Sequence, residues 1–354
     1  MGAGAFIMAE ITGIPYTEIA VAAIIPALLY FVAVYFMVDF EAAKLGMRGM
    51  RDDELPKLAQ MARQAFLFVP IVILIYALFQ GYSVIRAGTL ATAAAAAVSW
   101  LTPHRMGLGA IARAFHLAGT MSIQIIAVCA CAGIIVGVIS LTGVGARFSN
   151  LLLGLAAASQ LLALVFAMLI AILLGMGMPT TAAYAVAASV VAPGLVELGI
   201  PQLTAHFFVF YFAVVSAITP PVALASYAAA GVSGANPMET SVVSFKIGIA
   251  AFVVPFMFFY NSALLMQADW LEIARAAATA VFGVFLLSAG VQGWFLGARA
   301  VWFLRVALVA TALMMIEGSL ATDVAGVVAA AAILFVQRIV RPKAGATIPV
   351  RGAD

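Results

Sequence analysis

Seven residues, Gly175-Met176-Gly177-Met178-Pro179-Thr180-Thr181, interrupt sequence that is otherwise apolar enough for the interior of a bilayer. They narrow the possible folds more than any other stretch. Leu151 to Leu174 before them is almost wholly apolar and long enough for a membrane-depth helix. Ala182 to Ala192 after them resumes a short apolar helix, which Pro193-Gly194 should stop. Backbone N–H and C=O groups unwound at that depth have no water to bond, so such a break survives only inside protein or beside a water-filled cavity. A second break, Ile218-Thr219-Pro220-Pro221, divides Phe207–Ala217 from Val222–Ala230. Paired interruptions point to the binding site of a secondary transporter, because half-helix ends offer dipoles and free carbonyls to ions and anionic solutes.

Composition excludes a soluble domain. Hydrophobic residues make up 66% of the chain and charged ones 9%, where soluble domains carry about 25% charged residues. Mean hydropathy is +1.18. The expected fold is therefore an all-α polytopic membrane protein. The first residues, Met1 to Ile7, lack a basic segment and do not read as a removable signal. Cys129 and Cys131, two apart on an apolar helix, point in different directions and read as small packed hydrophobes rather than a disulfide or metal site.

Glu18 to Val38 makes a first span of about 20 residues, the length a bilayer core requires. Residues 39–63 form a polar connector with five cations among five acids. Ala65–Gln80 and Ala87–Leu101 read as spans, Pro103–Leu117 as a helix lying at the interface, and Gly119–Leu141 as a span turned by Gly143 to Arg147. Asn150–Leu174 and Ala182–Val191 then form a re-entrant hairpin whose second arm is too short to cross. Thr204–Gly231 is a broken span, and Pro237–Tyr260, Ile273–Gly293, Val301–Ile316 and Val324–Val340 follow it before a basic tail. This division gives 1–38, a first-repeat remnant with its following span; 39–63, the connector; 64–262, a second repeat; 263–340, extra spans; and 341–354, the tail. An even number of crossings puts the connector and the tail on one side, which the positive-inside rule makes cytoplasmic.

An internal repeat supports the division. Fourteen residues, Met1 to Ile14, precede Pro15, and fourteen, Ala223 to Asn236, precede Pro237. Each is followed by an acid, Glu18 or Glu239, and a span with a late proline, Pro26 or Pro255. The expectation is an inverted-repeat transporter whose first repeat is incomplete, with its own hairpin and proline pair outside this chain.

Gly175-Met-Gly-Met-Pro-Thr-Thr-Ala-Ala-Tyr184, Ala192-Pro-Gly-Leu-Val-Glu-Leu-Gly199, His206-Phe-Phe-Val-Phe-Tyr-Phe212 and Thr219-Pro-Pro-Val-Ala-Leu-Ala-Ser-Tyr-Ala-Ala-Ala230 together resemble the large membrane subunit of tripartite ATP-independent periplasmic (TRAP) transporters. The resemblance is closest to the fused permeases that partner TAXI-type binding proteins, and Ala5 to Pro15 looks like the family's first broken helix. It covers residues 1 to about 262. What it implies is a sodium-coupled, elevator-type permease in the bacterial inner membrane that receives a small organic anion, such as a carboxylate, from a soluble periplasmic binding protein. By similarity, Gly175, Gly177, Met178, Pro179, Thr180 and Thr181 match the second hairpin tip, and Thr219, Pro220, Pro221 and Ala223 match the second break. These positions are expected to coordinate Na+, the coupling ion, and to line the substrate cavity; no other cofactor and no nucleic-acid partner is implied. The family's upstream hairpin and small-subunit region are not in this sequence, so an N-terminally truncated permease is the expectation.

The same residues admit plainer roles. Thr180 and Thr181 could cap the helix they begin instead of offering oxygens to a hard cation. Thr219-Pro220-Pro221 could be a proline kink. Lys246 could act within its span or snorkel to the inner interface, His206 reads as interfacial, and the phenylalanines of Phe207–Phe212 read as lipid-facing or packing residues. Rival functions are a non-transporting membrane fragment, a structural subunit, or an intramembrane enzyme. Against the enzyme, Ser216 and Ser226 have no His or Lys at helical spacing, the aspartates sit in loops, and no His-Glu-x-x-His pair occurs; an ATP-driven pump is disfavoured because no Walker-type loop is present.

Overall fold

A computed structural model describes residues 3–47, 49, 65–102, 105–315 and 318–339. Most of the 39–63 connector and all of the 341–354 tail lie outside the described residues. The chain is helical almost throughout, as its composition requires. Helices α1 (Ala3–Thr12), α2 (Tyr16–Ala22) and α3 (Ile24–Leu45) come first. They are followed by α4 (Val69–Phe79), α5 (Val84–Ser99), α6 (Leu108–Thr142) and α7 (Val144–Ala158). Then come α8 (Gln160–Gly175), α9 (Thr180–Glu197), α10 (Gln202–Val215), α11 (Leu224–Ser233), α12 (Pro237–Ile247) and α13 (Ala250–Tyr260). The last three are α14 (Trp270–Gln292), α15 (Trp302–Met314) and α16 (Leu320–Ile339). A two-stranded turn, Trp294–Phe295 against Ala298–Arg299, joins α14 to α15. Among the described residues, five helices are long and apolar enough to cross a bilayer.

Several boundaries differ from the sequence expectation. The first span does not end at Val38 but winds on to Leu45, where Gly46 at φ +69° terminates it. The interfacial helix and the span after it are one helix, α6, of 35 residues. No proline interrupts that run, and the cost of Gly119, about 1 kcal/mol, is too small to break a helix. Leu151–Leu174 is not continuous: Ser159, in extended backbone at φ −166° and ψ 124°, separates α7 from α8. The second hairpin arm is not short either. Helix α9 runs through Pro193 to Glu197, 18 residues in all, or about 27 Å, close to the thickness of a bilayer core. Pro193 is exposed beside a groove, so its ring and the carbonyl it leaves without a donor face away from the core.

The core centres on α9 and α10, where Tyr184, Phe207, Phe208 and Phe212 are completely buried. Their edge-to-face contacts reach Phe256 and Phe258 of α13, and Phe252 meets Phe212 at a tilt. The phenylalanines of this run are therefore packing residues rather than lipid-facing ones. The outer helices show the opposite pattern, with Ile85, Leu108 and Leu141 at 83%, 87% and 90% exposure. Apolar surface of that extent is stable only against hydrocarbon or a partner.

Side-chain ties sort the helix ends onto two sides. At one end, the buried Gln292 amide donates to the Met37 carbonyl at 2.9 Å, which joins the end of α14 to the second half of α3. Arg305 of α15 donates to the Gly290 and Val291 carbonyls at 3.0 and 2.8 Å, satisfying the last turn of α14. At the other end, Asn261 and Arg275 both donate to the Gly318 carbonyl. Arg275 also faces Asp323 at 3.9 Å. Asp323 is thus a buried helical residue of α16 and not the loop residue expected from sequence.

Candidate functional site at two helix breaks

Both interruptions are present. Between α8 and α9 the backbone leaves the helix at Met176, passes through Gly177 at φ +76°, and re-enters after Pro179. The two arms, 16 and 18 residues long, pack on each other as a helical hairpin. After α10, one 3-10 turn, Ser216–Ile218, leads into the irregular stretch before Leu224, with a cis bond between Pro220 and Pro221.

The tips of these two breaks touch. At Gly175 a side chain would stand 2.6 Å from the Ser216 hydroxyl and 2.8 Å from the Ala213 carbonyl, so the hairpin packs on α10 with only a hydrogen at the contact. Gly177 lies against Val222. A third irregularity joins them: Gly248, between α12 and α13, lies directly under Ile218. A glycine inside an apolar span is its only sequence signal.

The ten positions singled out from sequence therefore fall in one neighbourhood, on two facing segments. Gly175, Thr219 and Ala223 are buried, while Gly177, Pro179, Thr180 and Pro221 are exposed and Met178, Thr181 and Pro220 are intermediate. Hydroxyl partners separate the two breaks. Thr219 bonds back to the Val215 carbonyl at 2.9 Å and Ser216 to the Ala213 carbonyl at 2.6 Å. Tyr227 closes the loop by donating to the Pro221 carbonyl. Thr180 and Thr181 behave otherwise. Pro179 occupies the N-cap of α9, no side chain caps that helix, and neither threonine hydroxyl has a partner among the described residues. The Ser226 hydroxyl, 2% exposed in the first turn of α11, is also unpartnered. Sequence reading gave Ser226 no role beyond ruling it out as a nucleophile.

His206 is enclosed by protein rather than exposed. It is buried at 6% exposure in α10, and its Nδ1 shares a 2.8 Å hydrogen bond with the Tyr184 hydroxyl of α9. The pair ties a hairpin arm to the broken helix. Twenty-two residues separate the two side chains, so no local pattern could reveal it. Glu10 is exposed. Lys246 lies at the end of α12 and pairs with Glu41 of α3 at 3.6 Å.

A helical hairpin in contact with a proline-broken helix, on a chain of this hydropathy, restricts the family. Residues 1–273 match the family described as tripartite ATP-independent periplasmic transporter, DctM component. The chain belongs to that family. No curated protein and no solved structure matches it. The protein is a multi-pass membrane permease of the TRAP class, whose large component works with a periplasmic binding protein and a small membrane subunit. The matched region ends in the first turn of α14, so most of α14 and all of α15 and α16 lie beyond it.

Proposed function

We propose that this TRAP permease couples uptake of a small organic anion to sodium, with the hairpin tip and the second break forming the shared ion and substrate site. In this reading the solute is delivered by a TAXI-type binding protein, and the hairpin and broken helix move together against the remaining helices as an elevator. One observation carries it. Two interruptions of apolar helices meet at Gly175 and Ser216, and the nearby Thr180 and Thr181 hydroxyls have no partner among the described residues.

Sodium is a hard cation that takes oxygen ligands. Thr180 and Thr181 supply free hydroxyls, and the end of α8 and the segment from Thr219 to Ala223 supply carbonyls outside regular helix. The start of α9 suits an anion, since its first N–H groups point along the positive end of the helix dipole. Elevator motion requires the two breaks to travel as one body, and the glycine-mediated contact together with the Tyr184–His206 tie favours that.

The test is uptake into proteoliposomes holding the permease with its small subunit, with the binding protein outside. An inward sodium gradient should drive accumulation of the solute that the binding protein carries. Collapse of the gradient should abolish it, and Thr180→Val/Thr181→Val should reproduce that loss. Uptake that persists unchanged in potassium medium rejects sodium coupling.

A further inference from the structure

Lys246 and Arg305 share a groove. They line a cavity of about 770 Å³ between α12, α14 and α15, whose lining includes no residue of the hairpin or the second break. Arg305 uses Nε and Nη2 to hold the Gly290 and Val291 carbonyls, which leaves its other N–H groups free. Lys246 is 37% exposed and meets Glu41, which also pairs with Lys44 at 3.3 Å. One carboxylate is thus shared by two ammonium groups, and the lining itself contains two cations and no acid.

Away from the cations the groove is an apolar wall on one face of α15. Trp302, Val306, Val309 and Leu313 recur at helical spacing, and Trp302, Val306 and Leu313 are 75%, 60% and 45% exposed. From Trp302 to Leu313 the wall runs about 16 Å at the helical rise, close to the ~15 Å hydrocarbon depth of one leaflet. A tryptophan at the charged end suits the headgroup level. Arg305 lies on the side where α14 ends and α15 begins.

A soluble anion would gain nothing from that wall, and a neutral lipid would leave the cations unmatched. We propose that this groove binds an anionic phospholipid, its phosphate at Lys246 and Arg305 and one acyl chain along Val306, Val309 and Leu313. Basic pockets between membrane helices recognise acidic headgroups in this way. The lipid bridges α12, which follows the broken helix, to α14 and α15. The site does not depend on which ion drives transport.

Native mass spectrometry of the detergent-purified permease tests it, with phosphatidylglycerol, phosphatidylethanolamine of the same acyl chains, and glycerol phosphate as a headgroup alone. Phosphatidylglycerol should be retained about twentyfold better than phosphatidylethanolamine, the order expected from two cations. Lys246→Gln should cut that preference about fivefold and Lys246→Arg should restore it. Ala310→Trp, which fills the groove without touching a charge, should lower retention of both lipids. Arg305→Gln is a poor probe, because Arg305 also closes the last turn of α14. Equal retention of the two lipids by the native protein overturns the proposal. So does an unchanged preference in Lys246→Gln, or glycerol phosphate binding as tightly as the whole lipid.

Discussion

An added methyl group at Gly175 would stand 2.6 Å from one side-chain oxygen and 2.8 Å from a backbone oxygen, closer than carbon tolerates. Gly175→Ala should therefore push the hairpin off α10 and lower stability by about 1–3 kcal/mol, read as a fall in detergent melting temperature. Gly88→Ala provides the contrast. That glycine lies inside α5 with open space around its missing side chain, so alanine should leave stability unchanged or raise it by up to about 1 kcal/mol. A drop at both positions would show that the contact is not what matters. The threonines make a complementary case. The Thr180 and Thr181 hydroxyls bond to nothing among the described residues, so Thr180→Val and Thr181→Val should change the melting temperature little without sodium, within about 0.5 kcal/mol. Added sodium should stabilise the native protein and not the variants. At this scale the sequence was legible wherever cost was intrinsic to the residue: Gly and Pro are expensive in an apolar helix whatever surrounds them. Ser226 and Gly248 were not, because a small residue acquires meaning only from what approaches it.

Between helices, the Tyr184–His206 bond is the clearest tie, since both side chains are buried in the aromatic core of α9 and α10. Tyr184→Phe keeps the ring and removes the hydroxyl, leaving Nδ1 buried without a partner at a cost of about 1–3 kcal/mol. His206→Leu should leave the hydroxyl stranded at a similar cost. The double variant should be less destabilised than the sum of the two, by roughly 1 kcal/mol or more, in a thermal-unfolding cycle. Strict additivity would mean that the bond contributes nothing. Helix boundaries were less legible than helix existence. Pro193 was read as a stop because proline usually ends a helix, and it does not do so here because its strained side faces an open groove. Ser159 was passed over because nothing in Ala156-Ala157-Ala158-Ser159-Gln160 disfavours helix locally. The break there accompanies the packing of α7 against α9, where Gly194 admits Leu152 and Ser149.

Taken whole, the molecule is held at one end by Gln292 on Met37 and Gln337 on Phe295, and at the other by Arg275 between Asp323 and Gly318. The first of these fastens α14 to the family-matched part, and the others join the segments beyond residue 273 to one another. Arg275→Met should strand the buried Asp323 carboxylate without its cation and cost about 3 kcal/mol. Arg275→Met/Asp323→Leu should recover most of that in the same melting assay. If the double variant is no more stable than Arg275→Met, the carboxylate is not the source of the loss. The two ends also set a topology test. Cysteine placed at Glu197 or Asp269 should react with an impermeant maleimide added outside cells, and cysteine at Arg299 only after the membrane is opened.

The sequence by itself determined a helical membrane protein, the place of the two interruptions at the site and, through the resemblance of its motifs, the family to which it belongs. The first two follow from a local quantity, either the transfer of apolar residues into hydrocarbon or the conformational limits of glycine and proline. The tertiary structure decided that Gly175 meets Ser216, that Gly248 meets Ile218, that His206 is buried against Tyr184, and that Lys246 and Arg305 share one groove. Those contacts join residues tens of positions apart, and their energy depends on which helix faces pack together, a choice that no single apolar segment specifies because nearly every face of these helices is hydrophobic.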